Sequence, residues 1–210
     1  MLLQLALDTI GMKEAKHLLH EVGDVIDIVE IGTPFIIKEG VSAVRKIKNI
    51  FPSLKILADL KIADGGEYES KLAFEAGADI VTVLGFSDDA TIKSAVLKAK
   101  EYGKAVMVDM ISIGDVQTRA SELEKLGVDY ICVHTASDVK STKAPPLKEL
   151  QAVKKVTKRT KIAIAGGIDA DSIGNIVKEN PEIIIVGSWI TKNAERREAA
   201  LLIKKIMNFR

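Results

Sequence analysis

A single cysteine in 210 residues leaves the chain unable to form a disulfide with itself. Cys132 lies in an apolar run, Tyr130-Ile131-Cys132-Val133, and a reducing, cytoplasmic setting is the expectation. Aromatic residues are also scarce, at 4%, so there are few platforms on which bases could stack. No charge of one sign dominates: 30 Lys and Arg against 29 Asp and Glu give a formal net charge of +1. No overall field therefore draws the molecule to nucleic acid or to a membrane surface, and neither is expected as a partner. An anionic ligand would have to be held by local geometry. No apolar run approaches the roughly 18 residues of a membrane-spanning helix. The apolar N-terminus has neither a basic leader nor a small-residue cleavage site, and Asp8 interrupts it, so it is expected to be a first strand. Low-complexity tracts, linkers and shifts of composition are missing too, which predicts one domain over 1–210.

What the chain does have is a strict alternation of short β-branched runs with amphipathic stretches of helical spacing. Strands are expected at 2–8, 25–31, 54–61, 79–84, 104–109, 129–134, 161–165 and 182–186. Helices are expected at 12–22, from about Pro34 to Ile50, and at 66–76, 89–101, 115–126, 147–158, 170–179 and 192–207. Glycines follow several of them (Gly23, Gly77, Gly103, Gly127), as helix ends favour. Strand-then-helix repetition with apolar strands predicts a parallel sheet covered by helices. Eight such units in little more than 200 residues predict a compact α/β fold of the (β/α)8 TIM-barrel type. A doubly wound open sheet is the alternative.

The stretch Ala58-Asp59-Leu60-Lys61-Ile62-Ala63-Asp64-Gly65-Gly66 concentrates charge at the end of the third strand, and the two-residue spacing of Asp59 and Lys61 puts both on one side of it. Alone it could be a solvated ion pair. In a barrel, however, the active site gathers at the C-terminal strand ends. Asp8, Glu30, Asp59 with Lys61, Asp109 and His134 fall at that end of strands one, two, three, five and six. Charged groups at five strand ends of otherwise apolar strands point to a site. Strands seven and eight end instead in Ala165-Gly166-Gly167-Ile168 and Val186-Gly187-Ser188. Backbone amides there can approach a phosphate, a common use of these two barrel loops. Glu30 and Asp59 offer hard oxygens suited to Mg²⁺, whereas a zinc site would call for more histidines or thiolates. Lys61 can stabilise a developing oxyanion or hold Asp59 and Asp64. His134 is of a type that exchanges protons near neutral pH.

The segments Leu3-Gln4-Leu5-Ala6-Leu7-Asp8, Val29-Glu30-Ile31-Gly32-Thr33-Pro34, 58–66, Cys132-Val133-His134-Thr135, 163–168 and 185–188 resemble the 3-hexulose-6-phosphate synthase family, across essentially the whole chain. That family lies within the orotidine-monophosphate decarboxylase suprafamily, marked by Asp-x-Lys-x-x-Asp, here Asp59, Lys61 and Asp64. The resemblance implies an aldol reaction of one-carbon metabolism. Formaldehyde adds to ribulose 5-phosphate, reversibly, to give arabino-3-hexulose 6-phosphate through an enediolate. It implies Mg²⁺ on Glu30 and Asp59, His134 as proton carrier at C1, and Lys61 beside the enediolate. Asp109 would contact substrate hydroxyls or support catalysis, and Asp8 would bind substrate. The phosphate would lie on Gly167, Gly187 and Ser188. A homodimer is implied, with Asp64 reaching the partner's site. A sister family, the 3-keto-L-gulonate 6-phosphate decarboxylases, usually has glutamate at the position of Asp109 and arginine at that of Ser137, which favours the synthase. The segment Ser137–Lys143 departs from the small-residue stretch usual in the synthases.

Overall fold

The structure, a computed structural model, describes residues 1–139 and 144–208. The expectation for the atypical segment therefore falls partly outside the described residues, since 140–143 are not among them. Eight strands alternate with helices along the chain. In order they are β1 (Leu2–Leu7), α1 (Met12–Val22), β2 (Ile28–Ile31), α2 (Thr33–Glu39), α3 (Ser42–Ile50), β3 (Lys55–Ile62) and α4 (Gly66–Glu75). Then come β4 (Ile80–Leu84), α5 (Asp89–Tyr102), β5 (Ala105–Asp109), α6 (Val116–Leu126), β6 (Tyr130–His134) and α7 (Leu147–Val156). The last elements are β7 (Lys161–Ala165), α8 (Ile173–Lys178), β8 (Ile183–Val186), α9 (Ser188–Thr191) and α10 (Arg196–Asn208). All neighbouring strands pair in parallel, and β8 pairs with β1, so the sheet closes into the expected barrel.

Closure creates two apolar layers. Strand residues such as Leu3, Val29, Ile56 and Val81 face outward and pack under the helices with Leu18, Val44 and Ile92. A smaller set, including Ile28, Leu57, Ile80, Met107, Cys132 and Ala163, fills the barrel interior. Because strand side chains alternate with a period of two, the next inward position is two residues on. From those interior residues that step reaches Glu30, Asp59, Thr82, Asp109, His134 and Ala165. The apolar plug thus sets the floor on which a ring of polar side chains stands.

The opposite rim is tied by a repeated device. Asp27, Asp79 and Asp129 precede β2, β4 and β6. Their carboxylates accept the N–H groups of Leu3, Ile56 and Val106 on the strand before, at 2.7, 2.9 and 2.9 Å. Two helices depart from expectation. The one predicted from about Pro34 to Ile50 is divided in two, because Gly40 adopts φ 69° between α2 and α3. The last is preceded by the extra turn α9, with α10 starting only at Arg196.

Candidate active site

The site is built around an irregularity in β3. Ala58 pairs with Val81 and Ile62 with Val83, so three residues of β3, 59–61, stand opposite one residue of β4, Thr82. Lys61 occupies the left-handed region at φ 49°, uncommon for a residue with a Cβ and a recurrent feature of functional sites. The Thr82 hydroxyl substitutes for the lost ladder: it accepts the Lys61 N–H at 2.9 Å and donates to Asp59 Oδ1 at 2.7 Å. The two-residue spacing of Asp59 and Lys61 suggested a regular strand with both on one side. Instead, a bulge and a left-handed residue bring the lysine back over Asp59.

From there a continuous charged chain crosses the mouth of the barrel. Lys61 Nζ donates to both Asp59 oxygens, at 3.1 and 3.0 Å, and to Asp109 Oδ2 at 2.8 Å. His134 Nδ1 lies 3.1 and 3.0 Å from the two Asp109 oxygens. Burial alone would lower the Lys61 pKa, but the Asp59 and Asp109 carboxylates more than reverse this and hold the ammonium charged. Burial would raise Asp109. The His134 hydrogen bond and the His134 and Lys61 charges instead bring it down to about 2. Ionised, Asp109 can only accept, so Nδ1 carries the hydrogen and Nε2 is the ring nitrogen left to exchange a proton with a bound molecule. Asp109 is itself buried and lies behind Lys61 and His134.

Glu30 has the opposite electrostatics. Burial first, then the Asp59 and Asp8 charges, push its carboxyl well above the usual range. Gln4, inside the barrel one strand away, donates to Glu30 Oε2 at 2.6 Å. Asp8 follows β1 and presses against the backbone of Gly32. A Cβ there would lie 2.1 Å from its Oδ1, so only glycine fits. On the far side, Gly166 and Gly167 have φ 102° and 67°, turning the chain so that it skirts the mouth. Gly187 leads into Ser188, the first residue of α9.

These groups line one cavity of about 420 Å³, bordered by Asp8, Glu30, Asp59, Lys61 and His134 on one side and Gly167, Gly187 and Ser188 on the other. The expected catalytic, metal and substrate residues are therefore brought together with two exceptions. Asp109 acts from beneath. Asp64 is exposed outside the cavity, its carboxylate accepting the Gly65 N–H at 2.6 Å.

The donor set suits a hard divalent cation. The charges of Asp59, Asp8 and Lys61 all act on Glu30, and Lys61 is shared with Asp109, so negative charge is in excess. Among the described residues no three carboxylate, imidazole or thiol groups are gathered as a ready cage. A cation would take Glu30, Asp59 and oxygens of a bound molecule or water.

Three participants were missed in the sequence. Gln4 and Thr82 are lone neutral polar residues within apolar strands. The Thr33 hydroxyl lies 2.7 Å from both the Asp59 carbonyl oxygen and Oδ2, which share its one proton. Nothing local marked the first two: each falls at an inward position of its strand, which only closure of the barrel reveals.

Fold and site together define a (β/α)8 barrel with a carboxylate–lysine–carboxylate–histidine chain at its C-terminal mouth, facing two glycine turns. The profile of the orotidine 5′-phosphate decarboxylase / HUMPS family matches residues 1–203, and the chain belongs to that family. It is similar to the 3-hexulose-6-phosphate synthase of Bacillus subtilis, 50% identical over 205 residues that cover 98% of each chain. The crystal structure of 3-hexulose-6-phosphate synthase from Salmonella typhimurium superposes with a TM-score of 0.96 at 44% identity, covering 99% of this chain and 98% of that one. A ligand-bound crystal structure of KGPDC from Streptococcus mutans has a TM-score of 0.91 at 25% identity, covering 98% and 96%. Among the described residues no helix is long and apolar enough to cross a membrane.

Proposed function

We propose that the protein is an aldehyde-lyase of the 3-hexulose-6-phosphate synthase type, joining formaldehyde to ribulose 5-phosphate. The observation that carries this reading is the Asp59–Lys61–Asp109–His134 chain at the cavity wall, in a barrel half identical to a synthase along nearly its whole length. The phosphate would rest on the amides of Gly167, Gly187 and Ser188, with Asp8 on a substrate hydroxyl. The carbonyl end of the pentulose would then lie against Lys61 and His134. His134 Nε2 would remove the C1 proton, while Asp109 steadies the imidazolium that forms. Lys61 would compensate the negative charge of the enediolate. The enediolate carbon then attacks formaldehyde, forming the new C–C bond, and the resulting alkoxide takes a proton. Mg²⁺ on Glu30 and Asp59 would supply polarisation of the substrate's oxygens.

Two further features belong to the same proposal. Asp64, exposed beside the cavity, would complete the site of a second copy in a homodimer. Tyr68 and Leu72, one turn apart on the helix that follows it, and Phe86 after β4 leave apolar surface exposed. The cell setting would be cytoplasmic.

The test is a pair of assays on purified protein. Ribulose 5-phosphate with formaldehyde and Mg²⁺ should yield the hexulose phosphate, and a chelator should abolish turnover. 3-Keto-L-gulonate 6-phosphate should be decarboxylated much more slowly. Decarboxylation faster than condensation would reverse the assignment, and full activity in chelator would remove the metal.

A further inference from the structure

From β4, Thr82 hydrogen-bonds to both members of the Asp59–Lys61 pair. Its side chain is buried, at 4% exposure. The hydroxyl has one proton, which goes to Asp59 Oδ1 at 2.7 Å. It also accepts the Lys61 backbone N–H at 2.9 Å. That N–H lies in the bulge, where β3 runs out of register with β4 between Ala58 and Ile62. A buried backbone donor without a partner is costly, so the threonine oxygen decides whether the left-handed turn at Lys61 can exist there. The opposite Asp59 oxygen lies 2.7 Å from the Thr33 hydroxyl, whose one proton it shares with the Asp59 carbonyl, so a hydroxyl stands on each side of the carboxylate.

We propose that Thr82 is a positioning residue for the reaction. Its hydroxyl couples the Lys61 backbone turn to the rotamer of Asp59, so that ammonium and carboxylate face the cavity together. Thr82 does not line the cavity, so it acts through these two residues and touches no substrate. Its catalytic consequence rests on the function proposed above. Its structural premise does not.

The experiment compares Thr82→Val, which keeps shape and removes the hydroxyl, with Thr82→Ser, which keeps the hydroxyl. Amide hydrogen exchange is followed across 57–64 in protein free of substrate, alongside kcat and KM for the condensation. Thr82→Val should speed exchange of the Lys61 amide and lower kcat by about 10- to 100-fold, the scale on which misplaced catalytic groups act, with KM for the pentulose phosphate little changed. Thr82→Ser should restore both slow exchange and most of kcat. Unchanged exchange in Thr82→Val, or a Ser variant as impaired as the Val variant, overturns the proposal. A Val variant with wild-type kcat or with only KM raised overturns it too. Should the wild type turn over neither sugar phosphate, the functional reading fails. Faster Lys61 exchange in Thr82→Val, reversed in Thr82→Ser, would still support the coupling.

Discussion

Lys61 and Glu30 stand within one cavity wall, and the surrounding charges act on them in opposite senses. Lys61 is held charged by two carboxylates, which suits it to meet developing negative charge and makes it a poor amine nucleophile. Lys61→Ala should lower turnover by at least about two orders of magnitude, as loss of one oxyanion stabiliser commonly does. Near-normal kcat would remove it from the mechanism. Glu30 carries the cost of the arrangement. A carboxyl whose folded pKa is raised favours folding in its protonated form, and that contribution fades as pH rises through the folded value. At neutral pH and without metal, Glu30→Gln should therefore raise the melting temperature by about 2–4 °C, a gain on the order of 1 kcal/mol for this size, while abolishing activity. A lowered melting temperature would mean that Glu30 is not the strained group. Asp109 works the other way. Brought down to about 2, it stabilises the fold above its unfolded value of 3.8, and loses that as pH falls between the two. The charged residues were legible in the sequence because each interrupts an apolar strand. Thr82 and Gln4 were not, because neutral polar residues are common in strands and only closure of the barrel shows that these two face inward.

At the scale of elements, the lesson of β3 is that spacing gave a correct neighbour for an incorrect reason. Alternation placed Asp59 and Lys61 on one side of a regular strand, but the strand bulges between Ala58 and Ile62 and Lys61 turns left-handed. Bulges are set by the partner strand, and no local pattern in 58–66 reveals that Thr82 will stand opposite three residues. The broken second helix is similar. Its apolar periodicity continues across Gly40, and the positive φ of 69° at that residue, not a change of pattern, divides it. The N-terminal rim depends on longer-range contacts. Asp79 accepts the Ile56 N–H at 2.9 Å and also pairs with Lys48 and Lys104 at 2.9 and 2.6 Å. Asp79→Ala would leave a strand amide and Lys104 without this acceptor and Lys48 with the Leu54 carbonyl alone of its two. We expect a loss of about 1–3 kcal/mol in stability, a drop of several degrees in melting temperature, with kcat unchanged because the site lies at the other rim. A fall in kcat without a fall in stability would show that the two rims are coupled.

The whole molecule brings five strand ends to one mouth, and that was legible because a parallel barrel points every C-terminal strand end the same way. Its ring of Glu30, Asp59, Asp109 and His134 follows from counting two residues beyond the interior plug. Asp64 does not follow from that geometry. It shares the sequence motif of Asp59 and Lys61 yet leaves the cavity after the bulge, and its exposed carboxylate accepts the Gly65 N–H instead of facing its own barrel's mouth. A second copy would give it a catalytic place: two barrels related by a twofold axis would each lend Asp64 to the other's mouth. Mixing Lys61→Ala and Asp64→Ala subunits tests this. Each variant alone should be nearly inactive. In a mixed dimer with shared sites, one mouth carries both defects and the other carries none. Random assortment makes half the dimers mixed, so activity should recover to about a quarter of the wild-type value. If Asp64 served only its own barrel, both mouths of a mixed dimer would be defective. Activity would then stay at the level of the separate variants, however long the subunits were left to exchange.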